Sequence, residues 1–153
     1  MTSSMKPDLP SSNAFWLLST AYLDGGGAAH GLIRSGNYSG FAWLPCVFLY
    51  FRCIELALKA VLVSNGVAEQ EIARTFGHRI SALLIRTEEF TPLSDLGILP
   101  ADRKLLDRFS DDYSDKWFEY PDKLWRGNPQ LDQLKDLAHR VCATVRTHGR
   151  RKP

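Results

Sequence analysis

The sequence predicts an all-α protein, an antiparallel up-and-down helical bundle of four main helices with shorter helices between them. Three observations carry that expectation. The segment from about residue 41 to 65 is apolar around most of its circumference, which suits a helix enclosed by others. Two outer segments, about 13–34 and 129–148, repeat apolar residues at helical spacing. No stretch alternates apolar and polar side chains in the manner of a half-buried strand.

Residues 1–12, bearing Ser, Pro and Lys, read as a flexible leader, and Ser11, Ser12 or Asn13 can cap a first helix running to about Arg34. Phe15, Leu17, Leu18, Ala21 and Tyr22 supply its apolar pattern. Gly25-Gly26-Gly27 interrupts it. Each glycine costs up to about 1 kcal/mol against alanine in a helix, so the triplet predicts a kink, a break or very close helix contact. With no strand before it and no Lys-Ser/Thr after it, it does not read as a phosphate-cradling loop. Gly36-Asn37-Tyr38-Ser39-Gly40 has turn chemistry. Pro45 should kink the second helix or mark its start, and Asn65-Gly66 supplies its left-handed stop.

A short helix is expected at about 67–75, then one that Gly77-His78 opens and that runs through Phe90, with Ile80, Leu83 and Leu84 inward. Residues 91–99 hold enough apolar side chains to lie against the bundle. Pro100 suits a first helical position, and Leu105, Leu106, Phe109 and Tyr113 continue that helix to about Asp115. Asn128-Pro129 reads as an N-cap followed by the first residue of the last helix, whose stripe is Leu131, Leu134, Leu137, Ala138, Val141 and Val145. Arg146 and His148 complement the dipole at its end. The bundle thus covers residues 13–148, and 149–153 form a basic tail.

The 153 residues suit one domain, and their 44% hydrophobic and 24% charged composition excludes disordered and fibrous classes. The formal charge of +2 is unevenly spread: residues 88–136 hold 7 bases and 12 acids, whereas residues 137–153 hold 5 bases and no acid. The basic end is a candidate contact for an anionic partner. Cys46, Cys53 and Cys142 have neither zinc spacing nor the pattern of a disulfide framework, so they read as small buried hydrophobes of a reducing, cytoplasmic compartment. Residues 41–63 are greasy enough to raise the question of a membrane span. Arg52, Glu55 and Lys59 inside that stretch are costly at bilayer depth, so a core helix and no membrane association are expected. No metal site and no other cofactor is implied.

Ile54-Glu55-Leu56-Ala57-Leu58-Lys59-Ala60-Val61-Leu62, then Gly66, then Gly77-His78-Arg79-Ile80-Ser81-Ala82-Leu83-Leu84, resembles the HEPN (higher eukaryotes and prokaryotes nucleotide-binding) superfamily. There a helix reading E-L-x-L-K-x-x-L is followed, after a Gly-containing turn, by a G-H-D-L-x-x-L helix. Tyr113, then Trp117-Phe118-Glu119-Tyr120-Pro121, looks like the Y…F-x-Y-P segment that some members carry before the final helix. The resemblance implies a helical bundle, usually homodimeric, associated with RNA or nucleotides. Some members are metal-independent ribonucleases with an R-x4-6-H motif; others partner a nucleotidyltransferase or serve as binding modules, plausible company in a toxin–antitoxin or defence system. This chain departs from the nuclease pattern. Arg74 and His78 are too close in sequence, Arg140 and His148 too far apart, and Arg79 stands where Asp usually follows Gly-His.

The expected function is therefore a non-catalytic HEPN-like module that binds RNA, a nucleotide or a protein partner. One alternative is a metal-independent ribonuclease with a rearranged site around His78 with Arg74 or Arg79; another is a helical interaction module without a nucleic-acid role. Glu55 and Lys59, four apart with Glu first, read as a structural polar pair. His30 and His139 have no partner at metal spacing and belong at the surface or core edge. Lys116, Trp117, Tyr120, Lys123, Trp125 and Arg126 interleave aromatics with cations, as a surface that stacks bases and holds phosphates requires. Arg150, Arg151 and Lys152 could add a grip on the same ligand.

Overall fold

A computed structural model describes residues 11–36, 40–119 and 129–148. The order is α1 (Ser11–Arg34), α2 (Trp43–Ser64), α3 (Glu69–Glu71) running into a π-helical turn (Ile72–Phe76), α4 (Ile80–Glu88), a 3-10 turn (Leu93–Leu96), α5 (Pro100–Ser114) and α6 (Leu131–His148). Every regular element among the described residues is helical, and no helix among them is long and apolar enough to cross a membrane.

α2 is the axis of the fold. Buried side chains run along it from Leu44 to Leu62, because α1, α4 and α6 pack around it. Pro45 lies in its first turn, where the missing N–H forfeits no helical bond, so α2 starts at Trp43 and continues through the proline. Its end follows the Gly-stop expectation closely. Gly66, at φ 89°, donates to Val63 O at 3.0 Å while Val67 donates to Leu62 O at 3.1 Å, the paired bonds of a Schellman turn.

α1 runs unbroken through Gly25-Gly26-Gly27, and close contact is the consequence that is realised. A Cβ built on Gly26 would stand 2.7 Å from Cε1 of Tyr50, so the missing side chain is the space the Tyr50 ring occupies. That ring is fixed from its far end: the Tyr50 hydroxyl lies 3.2 Å from His30 Nδ1, and His30 Nε2 lies 3.3 Å from Asp132. His30 is thus buried between α1, α2 and α6, deeper than its expected place, whereas His139 is exposed. Burial lowers the His30 pKa despite the opposing charge of Asp132. Cys46, Cys53 and Cys142 are buried free thiols.

Two element boundaries differ from expectation. α4 begins at Ile80 rather than at Gly77-His78, because a Gly77 N–H to Ile72 O bond of 3.1 Å closes a π-type turn and Gly77 takes φ 55°. α6 begins at Leu131, with Leu134 N–H bonded to Gln130 O at 3.0 Å, so Pro129 precedes the helix instead of opening it. Residues 91–99 do lie against the bundle. Leu93, Leu96 and Ile98 are buried there, and Arg140 holds the segment by donating to Gly97 O at 3.0 Å and Asp102 at 2.6 Å.

The two glycine environments make opposite demands. Gly26→Ala should destabilise the protein by about 1–3 kcal/mol through overpacking against Tyr50. Gly27, which has nothing within 4 Å of its missing Cβ, should gain up to about 1 kcal/mol on Gly27→Ala. Urea denaturation of both variants measures the difference.

Candidate functional site

Arg52, Glu55 and Lys59 recur at spacings of three and four residues, which aligns them on one face of α2. Glu55 is the hub. It is 0% exposed, and four polar side chains close on its carboxylate. Lys59 Nζ donates at 2.6 Å, and one Arg52 nitrogen lies 3.0 Å from each carboxylate oxygen. His78 Nδ1 stands 3.1 and 3.2 Å from the two oxygens, and the Tyr113 hydroxyl donates to one of them.

Burial is the largest influence on Glu55 and would raise its pKa. The Lys59 charge and hydrogen bond, the Tyr113 hydrogen bond and the Arg52 charge together outweigh it, holding the carboxyl below its ordinary 4.5. The same exchange acts on the partners. Burial and the charge of Glu55 push Tyr113 up, so its phenol stays protonated and donates. Burial opposes the charge on Arg52, yet Glu55 and Tyr113 raise its pKa.

Local backbone chemistry delivers these groups. The π turn and Gly77 delay the next helix, so His78 sits in the connection and turns back onto α2. Tyr113 comes from the last turn of α5. Beyond it, Lys116 donates to Tyr113 O at 3.1 Å and Trp117 to Asp112 O at 2.8 Å, another Schellman pattern. Lys116 occupies the position glycine usually takes, at φ 61°, the one positive-φ non-glycine among the described residues. Such a conformation costs on the order of 1–2 kcal/mol for a residue with a side chain. The reversal sends Trp117 and Phe118 into the core, Phe118 stacked on Phe51 and Trp117 tilted against Trp43.

Arg52, His78 and Lys116 meet at a pocket of about 180 Å³ walled by the rings of Tyr22, Phe48 and Tyr113, with Glu119 beside Lys116. The Arg52 guanidinium also lies 5.8 Å from the Tyr22 ring centre. His78 Nδ1 has two partners of opposite demand. Arg52, 2.9 Å away, only donates, while the ionised Glu55 only accepts. Nδ1 therefore either accepts from Arg52 or, protonated, donates to Glu55, and the opposite ring nitrogen takes the complementary role. With 48% of the side chain exposed, that nitrogen can offer a donor or an acceptor to a ligand.

The sequence-predicted candidates divide. Glu55, Lys59, His78 and Lys116 converge on this one place. Arg74 and Arg79 are exposed and do not line the pocket; Arg79 donates instead to the Thr75 carbonyl. Trp117 is buried, so its ring is in the core and not offered to a base. Tyr120, Lys123, Trp125, Arg126, Arg150, Arg151 and Lys152 lie outside the described residues. Sequence reasoning missed Arg52, the cation that stands beside His78, although its three-residue offset from Glu55 was a readable signal. It also missed Tyr22, whose place on the pocket depends on how α1 crosses α2. Among the described residues, no group of three His, Cys, Asp or Glu side chains could hold a metal ion. Comparison with family models, characterised proteins and solved structures finds no match.

Removing the hub should be costly. Glu55→Ala leaves Lys59 and Arg52 without their counter-charge, which predicts a loss of about 3–5 kcal/mol. Because the folded state lowers the Glu55 pKa, its contribution is complete above pH 4.5 and is lost as the pH falls through the depressed value. Denaturation midpoints across a pH series check both; a Glu55→Ala variant as stable as the parent would remove the structural role.

Proposed function

We propose that the chain is a non-catalytic HEPN-like module whose pocket binds the phosphate of a nucleotide or RNA. The observation that supports this most is the convergence of Arg52, His78 and Lys116, from separate elements, on one pocket with aromatic walls. Guanidinium and ammonium groups, and an imidazole whose Nδ1 accepts from Arg52 and whose other nitrogen therefore carries the proton, are donors that phosphate oxygens accept from, and tyrosine and phenylalanine rings offer faces for a base. Lys116 adds a second support. A side chain kept where glycine would be less strained is readily understood if its ammonium is needed at the pocket. The four-helix up-and-down topology, a homodimeric state, a cytoplasmic location and a nucleotidyltransferase or antitoxin partner in a defence setting are further parts of this reading and rest on the sequence resemblance.

Lys116→Gly tests it cleanly, since the substitution relieves backbone strain. The variant should be more stable by about 1 kcal/mol. It should also lose most of the thermal stabilisation that inorganic phosphate confers on the parent, and that stabilisation should shrink as salt rises. No phosphate-dependent shift in the parent would remove the reading.

The contact between buried Glu55 and His78 Nδ1 favours a second reading, a metal-independent ribonuclease. A carboxylate that holds one imidazole nitrogen leaves the other available as an acid or base beside Arg52. Incubation of purified protein with RNA in the presence of a chelator decides between the two. The binding module leaves RNA intact; cleavage abolished by His78→Ala would establish the nuclease.

A further inference from the structure

We propose that the pocket takes a terminal phosphate monoester, the end group of a mononucleotide or of a 5′-phosphorylated strand, and rejects an internal phosphodiester. The inference rests on the phosphate reading above and narrows it to one kind of phosphate.

The pocket has a floor. Beneath Arg52 and His78 lies Glu55, 0% exposed, backed by Lys59 and Tyr113, which are themselves nearly buried. A phosphodiester carries chain on two of its oxygens and needs two ways out. A monoester carries chain on one and can enter a blind pocket with its three free oxygens leading. The space fits that division: about 180 Å³ is small beside the roughly 300–1,000 Å³ of clefts that engulf whole ligands. A phosphate would sit inside, and the sugar and base would remain at the mouth near the rings of Tyr22 and Phe48.

The donors match as well. Arg52 from α2, His78 from the turn before α4 and Lys116 from the turn after α5 approach from three elements. A monoester near neutral pH carries a charge of about −1.5 to −2 on three free oxygens, whereas a diester carries a single charge on two.

Among the described residues, the acidic groups near Lys116 disfavour a polyanion. Lys116 is flanked in sequence by Asp111, Asp115 and Glu119, all exposed, and Glu119 itself lines the pocket. Successive phosphates of a strand fall within a Debye length of about 8 Å at physiological salt, so a phosphate next to the bound one meets the Glu119 carboxylate only partly screened. A single end phosphate places no second charge there and gains the cations of the pocket.

Isothermal titration of the full chain with five probes tests the proposal: inorganic phosphate, adenosine 5′-monophosphate, the methyl phosphodiester of that nucleotide, and a short RNA bearing a 5′-phosphate and the same RNA bearing a 5′-hydroxyl. The monophosphate should bind at least about tenfold more tightly than its methyl ester, the loss expected for one charge-assisted hydrogen bond. RNA should bind only when 5′-phosphorylated, and Glu119→Gln should strengthen its binding more than that of the mononucleotide. Comparable affinity of the 5′-phosphorylated RNA and the mononucleotide would assign the phosphate to strand ends. Weaker RNA binding would assign it to free nucleotides. Equal affinity for monoester and methyl ester, or equal binding of the 5′-hydroxyl RNA, would overturn the monoester preference while leaving phosphate binding intact. Binding of none of the probes, inorganic phosphate included, would instead remove the reading on which it rests.

Discussion

A carboxylate carried into the middle of an apolar helix must be neutralised where it lies. Glu55 meets that requirement by drawing Lys59 and Arg52 from its own helix, His78 from the turn before α4 and Tyr113 from α5. Each partner belongs to a different part of the chain or a different turn of α2, so the charge ties α2 to the turn before α4 and to α5. Leaving any one donor out raises the cost of the buried charge. The pocket exists because these groups have outward as well as inward sides: Arg52, His78 and Tyr113 lie against Glu55 and also line the cavity above it.

The helices are arranged to allow this. α1 closes on α2 where Gly26 leaves room for the Tyr50 ring, and His30 and Asp132 hold that ring from α1 and α6. Two backbone reversals then bring His78 and Lys116 to the pocket. One uses Gly77 and releases His78 from helical geometry; the other uses Lys116, which bears strain that glycine would avoid. The first spends flexibility where only backbone is needed. The second keeps Lys116 among the residues that line the pocket.

Much of the fold was legible because it depends on local chemistry: the all-round apolar α2, the Asn65-Gly66 stop, Pro100 at the head of α5 and the apolar residues 91–99 each carry their own signal. The start of α4 was not, since a π turn satisfies the backbone through an i to i−5 bond that no sequence pattern marks. The site was legible in pieces. Glu55 with Lys59 stood out by spacing, His78 by its place after Gly77, and Lys116 by its aromatic neighbours. Their union was hidden, because it depends on long-range contacts such as Tyr113 to Glu55, which lie far apart in the chain. Trp117 misled for a related reason: an aromatic between charges looks like a surface group, yet the turn at Lys116 directs it inward.

The claim on which all of this depends is that Glu55 is ionised in the folded core, with its donors outweighing its burial. The side-chain carboxyl carbon of Glu55, followed by ¹³C NMR as a function of pH, reports that balance at the atom concerned. A titration midpoint below the ordinary 4.5 is the expected result. A midpoint above that value would mean that burial dominates, that the carboxyl is neutral in the fold, and that it does not organise the pocket.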